Sequence, residues 1–242
     1  MKIGIIGAMD VEVKALRERM ENVSEEEISG VRFFSGVLCG KEVVVARSGI
    51  GKVFAAICAQ TMILAFKVTH VINTGVAGTL TDKLGLLDVA IADGVVQHDM
   101  DTSPIGDPVG LISGINKVVL PTSCELAAYA RRTAEEIGKK TYTGIVASGD
   151  QFICDPERKR FIVDNFNGIC CEMEGAAIGH VCYVNGVECL IVRSISDSAD
   201  GSAHMDYPQL VGLAAEQSQR IPHFFFIVAL SVNGSIRVKV EA

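Results

Sequence analysis

Residues 2–16, KIGIIGAMDVEVKAL, contain a short apolar run, a small-residue turn and then apolar residues at helical spacing. That order predicts a buried strand followed directly by a helix. Residues 168–177 (GICCEMEGAA) and 188–200 (ECLIVRSISDSAD) begin with similar apolar runs. Strands that alternate with helices form parallel or mixed sheets, and the ends of such strands converge on one crevice. The sequence therefore predicts an α/β protein with a site at that edge of its sheet.

The rest of the chain continues this alternation. Further strands are predicted at 42–47, 68–75, 86–99 and 141–149, and helices at 10–21, 52–66, 123–138, 174–184 and 206–220. Residues 101–121 carry several prolines and glycines and are predicted to form a loop. Because no repeat, linker or low-complexity tract interrupts the pattern, residues 1–242 are predicted to form one domain with helices on both sides of the sheet.

Turn and cap residues refine these boundaries. The segment Gly75–Gly78 is predicted to be a turn after its strand. Thr122 and Glu125 have the spacing of a capping box for the helix that follows them. Asp155 is predicted to cap a helix whose first position is Pro156.

Composition excludes several classes of protein. The chain has 242 residues, of which 49% are hydrophobic and 21% charged, as in an ordinary globular protein. A net charge of −7 argues against a nucleic-acid partner, and the lack of Trp argues against a stacking platform for single strands. The longest aromatic-apolar run, residues 224–232, is too short to span a bilayer, so no membrane association is expected.

The cysteines point to a reducing compartment. There are 8 of them, with no CxxC pair, and most lie in apolar segments. The N-terminal segment is too short and too Gly-rich for a secretory signal, so we expect reduced, buried cysteines in a cytoplasmic enzyme. Because the His and Cys spacings match no zinc pattern, neither a metal nor a cofactor is expected.

Three acidic residues follow apolar runs and are candidates for chemistry. Glu12 either complements a helix dipole or acts as a general base on water. Glu174 either faces the start of a helix or accepts hydrogen bonds from the vicinal hydroxyls of a sugar. Asp197 either forms an Asx turn or, with a pKa raised by burial, donates a proton to a leaving group. Together they predict acid/base chemistry on an uncharged or cationic small molecule.

Other polar residues carry weaker signals. Arg193 shares a predicted strand with Asp197 and needs an acidic partner if buried, so it is predicted to pair with one of the three carboxylates or to orient water. The chain has neither a P-loop lysine after Gly78 nor a dinucleotide fingerprint, so Gly4 and Gly7 are interpreted as sites of close strand–helix packing. His98 and His204 are interpreted as surface or loop histidines.

Six ordered segments resemble the bacterial 5′-methylthioadenosine/S-adenosylhomocysteine nucleosidases of the nucleoside phosphorylase/hydrolase superfamily. They are 3–13 (IGIIGAMDVEV), 48–56 (SGIGKVFAA), 71–78 (VINTGVAG), 147–153 (ASGDQFI), 171–182 (CEMEGAAIGHVC) and 192–200 (VRSISDSAD). The resemblance covers about residues 1–220. It implies a three-layer α/β fold around a mixed, partly barrel-like sheet, and usually a homodimer.

The resemblance also implies an activity and a catalytic set. The reaction is hydrolysis of the N-glycosidic bond of 5′-methylthioadenosine, S-adenosylhomocysteine and 5′-deoxyadenosine, with release of adenine and, from the two thio-nucleosides, a 5-thioribose product, in methionine salvage and recycling of S-adenosylmethionine by-products. Glu12 resembles the base for the attacking water. Asp197 resembles the acid that protonates adenine at N7, with Ser196 orienting it. Glu174, beside Met173, resembles the residue that holds the ribose hydroxyls.

The resemblance assigns the remaining substrate contacts as well. Phe152 resembles the ring that stacks on adenine, and the backbone of Ile153 the group that reads its Watson–Crick edge. Met9, Ile50 and Tyr207 would line the pocket for the 5′-alkylthio group.

Two segments outside these contacts bear on assembly and packing. By resemblance, residues 101–108 would complete the pocket of a second subunit. After about residue 220 the chain departs from the family, which ends in an uninterrupted helix. Here Pro222 is predicted to break that helix, and residues 235–242 to form a short strand.

Two alternatives remain open. Related purine nucleoside phosphorylases bind phosphate with a basic residue at the position of Asn73 and a hydroxyl at the position of Val76, where many nucleosidases carry Ser. This chain has neither group, and Glu12 would repel phosphate, so hydrolysis is favoured. The second alternative is a non-catalytic nucleoside-binding protein, against which the presence of Glu12, Glu174 and Asp197 argues.

Overall fold

The computed structural model of this protein describes residues 1–199 and 211–218. Its strands are β1 (Ile3–Gly7), β2 (Glu21–Ile28), β3 (Val31–Leu38), β4 (Lys41–Arg47), β5 (His70–Thr79), β6 (Val89–Gln97), β7 (Leu120–Pro121), β8 (Thr141–Ser148), β9 (Gly168–Glu172) and β10 (Glu188–Asp197). Its helices are α1 (Lys14–Glu18), α2 (Lys52–Leu64), α3 (Cys124–Glu136), α4 (Pro156–Phe166) and α5 (Gly175–Asn185), and residues 211–218 are also helical.

The strands form one mixed sheet that closes partly on itself. The order is β10-β6-β8-β9-β5-β1-β4-β3-β2, with β7 beside β6, and β10 pairs with β5 as well. The strands β10, β6, β8, β9 and β5 therefore make a closed ring, from which β1, β4, β3 and β2 extend. Helices flank the sheet on both sides. The predicted three-layer fold with a mixed, partly barrel-like sheet is confirmed.

Alternating burial along β1 explains how the two helical layers form. Ile3 and Ile5 pack in the core cluster that includes Leu16 of α1, whereas Ile6 packs in the cluster that includes Met62 of α2. Successive side chains in a strand point to opposite faces, so one short apolar strand supports both layers. Gly4 faces α2, where an added Cβ would lie 2.7 Å from the sulfur of Met62. The predicted close packing at Gly4 is confirmed.

Three local predictions need correction. The first helix is not continuous over 10–21, because a 3₁₀ turn at Asp10–Glu12 precedes the short α1. The segment Gly75–Gly78 is not a turn but the end of β5, which runs on to Thr79. The cap of α3 is Ser123, whose hydroxyl accepts from the N–H of Leu126, while Thr122 donates to the carbonyl of Ala92.

Other predictions are confirmed or lie outside the described residues. Asp155 accepts hydrogen bonds from the first turn of α4, whose first residue is Pro156. Cys124 is exposed, contrary to the expected burial, whereas the cysteines of β9, α2 and α5 are buried. His204, Tyr207, Pro222 and the strand predicted at 235–242 lie outside the described residues.

Within the described ranges, no helix combines the length and apolar character that a bilayer crossing requires. No cluster of three or more His, Cys, Asp or Glu side chains suited to hold a metal ion occurs in these ranges either.

Candidate active site

A pocket with a cavity volume of about 80 Å³ opens where β1, β5, β9 and β10 end. Its walls bring together most of the predicted site residues, although they come from distant parts of the chain. These are Met9, Glu12, Ile50, Val76, Phe152, Ile153, Met173, Glu174, Ser196 and Asp197. The wall also contains Ala8, Ala77, Gly78, Gln151, Cys171 and Glu172, which were not predicted.

Glu12 is buried and held by backbone N–H groups from two strands' ends. One carboxylate oxygen accepts from the N–H groups of Ala8 (2.8 Å) and Met9 (2.9 Å), so Glu12 caps the 3₁₀ turn that contains it. The other oxygen accepts from the N–H of Val76 at 3.2 Å, across the pocket floor. Burial raises the pKa of Glu12 above its usual value, although these bonds and the charge of Arg193 oppose the shift. A raised pKa suits a carboxylate that must take up a proton.

Two glycines of β5 allow carboxylates to contact the strand directly. An added Cβ at Gly75 would lie 2.7 Å from Oε1 of Glu12, and one at Gly78 would lie 2.6 Å from Oδ1 of Asp197. Three residues of extended strand span about 10 Å. Glu12 and Asp197 thus contact β5 three residues apart, and both line the pocket.

Asp197 is buried at the end of β10 and forms the Asx turn that was one of its two interpretations. Its Oδ1 accepts from the N–H of Ala199 at 2.9 Å, which is the Asx-turn bond. Its Oδ2 accepts from the hydroxyl of Ser196, the residue that the resemblance places beside it, at 2.9 Å. The same residue both closes a local turn and presents a carboxyl to the pocket.

The side chain of Glu174 makes no capping hydrogen bond to its own helix, α5. Its Oε1 accepts from the N–H of Gly51 at 2.9 Å, on the loop before α2. Burial, together with the nearby charge of Glu172, raises the pKa of Glu174 to about 7. This carboxyl therefore changes charge near neutral pH.

Arg193, which was expected to pair with one of the three candidate carboxylates, pairs instead with Glu172. The two residues form an ion pair, and both side chains are only 2% exposed. The oxygens of Glu172 also accept from the N–H groups of Glu174 (3.0 Å) and Gly175 (2.8 Å), so Glu172 satisfies the start of α5. Although burial works against it, the charge of Arg193 holds the pKa of Glu172 below its usual value. The predicted pairing of Arg193 with Glu12, Glu174 or Asp197 is wrong.

Arg193 and Asn73 lie behind the pocket rather than in its wall. Arg193 donates to the side-chain oxygen of Asn73, whose amide in turn donates to the carbonyl of Ile6 at 2.9 Å. The sequence offered one signal for this network, namely that Glu172 lies two residues before Glu174. Alternate residues at a strand end share a face, so Glu172 was a further candidate partner for Arg193.

His98 lies in the turn directly after β6, as the loop interpretation has it, but it is not at the surface. His98 is 1% exposed, and its ring packs against the backbone of Gly149, where a side chain would collide with it. Burial lowers the pKa of His98 below its usual value, so the ring stays neutral at physiological pH.

The fold and the facing acidic residues of this pocket define a protein of the phosphorylase superfamily, whose family model matches residues 2–223. The 5′-methylthioadenosine/S-adenosylhomocysteine nucleosidase of Shewanella halifaxensis (strain HAW-EB4) is 40% identical over 220 residues, covering 90% of this chain and 95% of the relative. The chain belongs to this nucleosidase family, and the resemblance seen in the sequence is confirmed.

Solved structures agree with that assignment. A Helicobacter pylori nucleosidase of the same name, in complex with a pyrrolidine-based inhibitor, has a TM-score of 0.90 and 38% identity, covering 94% of this chain and 98% of that chain. The futalosine hydrolase of Helicobacter pylori strain 26695 gives the same values. The nucleosidase of Neisseria meningitidis, in complex with methylthio-immucillin-A, has a TM-score of 0.89 and 34% identity, covering 93% of this chain and 97% of that chain.

Proposed function

We propose that this chain hydrolyses the N-glycosidic bond of 5′-methylthioadenosine and S-adenosylhomocysteine, and of 5′-deoxyadenosine, with release of adenine. In the cell it would serve methionine salvage and the recycling of S-adenosylmethionine by-products in the cytoplasm. The observation that carries the proposal is that Glu12 and Asp197 contact β5 at two points and both line one pocket. The single domain predicted for residues 1–242 would contain both of these carboxyl groups.

The two carboxyl groups divide the reaction between them. Asp197, in its protonated form, gives a proton to N7 of adenine, so the electron pair of the breaking C–N bond leaves with a neutral base. Glu12 takes a proton from the water molecule whose oxygen bonds to C1′ of the oxocarbenium-like sugar. An acid on one side and a base on the other are the elements of an inverting glycosidase. Ser196 keeps the Asp197 carboxyl turned toward the pocket.

Glu174 is the proposed acceptor for the ribose hydroxyls. Its free oxygen faces the pocket, while the other is held by the N–H of Gly51. Met173 lies beside it in the wall. Arg193 contributes indirectly, because its charge favours the ionised forms of Glu12 and Glu174 from behind the wall.

The remaining walls suit an adenine ring and an apolar 5′ group. Phe152 would stack on adenine, and the backbone of Ile153 would pair with its edge. Met9 and Ile50 form an apolar wall for the alkylthio group, to which we add Tyr207 by resemblance. Val76 contributes its N–H to Glu12 rather than a hydroxyl to the sugar.

Phosphorolysis is the second candidate reaction, and the pocket disfavours it. No Lys, Arg or His occurs among the described residues that line the pocket. Asn73, at the position where phosphorylases carry a basic residue, is engaged with Arg193 and Ile6. A phosphate dianion beside Glu12 would meet negative charge without a cation to balance it.

We further propose a homodimer in which residues 101–108 complete the neighbouring pocket. Large apolar side chains are exposed on α2 and α5, which pack side by side, including Val53, Phe54 and Val184. Ile105, within the proposed loop, is 82% exposed. Exposed apolar surface of this kind is typical of an interface between subunits.

The test of the function is release of adenine from 5′-methylthioadenosine in phosphate-free buffer. We expect turnover without phosphate and no increase when phosphate is added. Asp197→Asn is the matched control, because it keeps the shape of the side chain and removes the proton donor. A strict requirement for phosphate would replace hydrolysis by phosphorolysis, and binding of the nucleoside without release of adenine would identify a binding protein.

A further inference from the structure

Two loops contribute residues to the wall of the pocket, and backbone N–H groups bond them to acidic side chains. The loop before α2 contributes Ile50, and its next residue, Gly51, donates its N–H to Glu174 at 2.9 Å. The following N–H, that of Lys52, donates to Oδ1 of Asp150 at 2.7 Å. Asp150 immediately precedes the pocket residues 151–153, which include the proposed adenine contacts. The first turn of α2 therefore holds the ribose side and the adenine side at once.

Asp99 connects the same two loops through both of its carboxylate oxygens. Its Oδ1 pairs with the ammonium of Lys52 at 2.6 Å, and its Oδ2 accepts from the N–H of Asp150 at 2.9 Å. Gln97 accepts a second bond from the same ammonium at 3.2 Å. The side chains of Lys52 and Asp99 are 19% and 16% exposed, so water screens this pair much less than a surface pair.

The packing around these bonds leaves little freedom. Gly51 has φ of 99°, and an added Cβ there would lie 2.9 Å from Oδ1 of Asp150. On the other side, Gly149 lies directly over the buried ring of His98. The carboxylate of Asp99 holds an ammonium as well as an amide, which makes it the charged link between the two loops.

We propose that Asp99 is a positioning residue for adenine, acting through Asp150 and Lys52 on the wall formed by Phe152 and Ile153. The proposal rests on the proposed function, because it assigns that wall to the base. Asp99 touches neither the pocket nor the substrate, as it does not line the cavity. Asp99 holds the wall formed by Phe152 and Ile153 at a fixed distance from Glu174. The pocket can then bind the base and the ribose of one nucleoside at the same time. Loss of a bond to a charged partner in such a link weakens binding by about tenfold.

The test measures adenine affinity directly, by calorimetry, together with KM and kcat for 5′-methylthioadenosine. Asp99→Asn keeps the size of the side chain and removes its charge. We expect its adenine dissociation constant and its KM to rise by about tenfold, with kcat changed by less than about threefold. Glu136→Gln is the matched control, since it removes the acid of an exposed ion pair with Arg132 on α3. That control should leave all three quantities unchanged.

Variants of Lys52 separate positioning from a loss of stability. Lys52→Met should weaken adenine binding as Asp99→Asn does, and Lys52→Arg should restore most of it. The double variant should bind adenine no more weakly than the worse single variant, because the two residues form one link. If Asp99→Asn does not fold, the two Lys52 variants carry the same comparison.

Two results would overturn the inference. One is an Asp99→Asn protein that binds adenine as the unaltered protein does while its melting temperature falls. The other is a double variant in which the two losses add in full. An unaltered protein that neither binds nor releases adenine would instead overturn the proposed function, and the inference with it.

Discussion

Gly75→Ala should disable the proposed base without altering any reacting group. Gly75 lies in β5, and the only obstacle to a side chain at this position is space. The added methyl group would lie 2.7 Å from Oε1 of Glu12 and 3.2 Å from a guanidinium nitrogen of Arg193. Both neighbours are buried, so neither can move into solvent.

The size of the effect follows from these distances. Ordinary contact with a Cβ begins at 3.4 Å, so the carboxylate must retreat by at least 3.4 − 2.7 = 0.7 Å. Its bond from the N–H of Val76 is already 3.2 Å long and would not survive that retreat. A hydrogen bond to a charged group contributes about 1.5–3 kcal/mol. If the whole of this free energy is lost from the transition state, kcat/KM falls by about 10- to 150-fold. Overpacking should also destabilise the fold by about 1–3 kcal/mol.

The assay is adenine release from 5′-methylthioadenosine below KM, with calorimetric unfolding of the same samples. Gly212→Ala is the matched control, because its added Cβ would meet no heavy atom of the described residues within 4 Å. In a helix that change should leave kcat/KM unaltered and stabilise the protein by up to about 1 kcal/mol. A folded Gly75→Ala protein whose kcat/KM stays within about threefold of the unaltered one would refute the reasoning.

Three other predictions concern the carboxylates themselves. Asp197→Asn and Glu12→Gln should each lower kcat by about 10²–10⁴ while the melting temperature changes little, and near-full activity in either would remove its assigned role. Because burial and Glu172 raise the pKa of Glu174 to about 7, the ionised acceptor of the ribose hydroxyls is lost as pH falls through neutrality. The KM for the nucleoside should therefore rise below about pH 7, and Glu174→Gln should abolish that dependence; an unchanged pH profile of kcat/KM in this variant would contradict it. Glu172→Gln leaves the buried charge of Arg193 without its partner and should cost about 3–5 kcal/mol of stability in denaturant unfolding, a loss that a second change, Arg193→Met, should partly reverse.

The order of strands and helices was predictable because hydrophobic periodicity is a local property. Segment 3–7 is apolar and buried along its whole length, and 189–192 is an apolar, buried run within β10. The strands β2 and β3 were not predicted. Nearly every residue of β2 is exposed, including Glu25–Glu27, so its sequence carries no alternation to detect.

The acidic pocket residues were predictable, but their partners were not. The pairing of Arg193 with Glu172 depends on β9 and β10 both lying next to β5, which no single segment specifies. The same is true of His98, whose burial under Gly149 follows from the parallel pairing of β6 with β8. The end of β5 was mistaken for a turn because its glycines do not mark a bend in the backbone. They leave space for two carboxylates that come from other segments.

The closed ring of strands has a mechanical consequence for the acid that it carries. The strand β10 is hydrogen-bonded to β5 along its length up to Asp197, and to β6 on its other side. Displacement of β10 would break its hydrogen bonds to both neighbouring strands, so the backbone that carries Asp197 is rigid. Entry of the nucleoside and exit of the products must therefore depend on the loops around the rim, and the amide protons of β10 should be among the slowest to exchange with deuterated solvent.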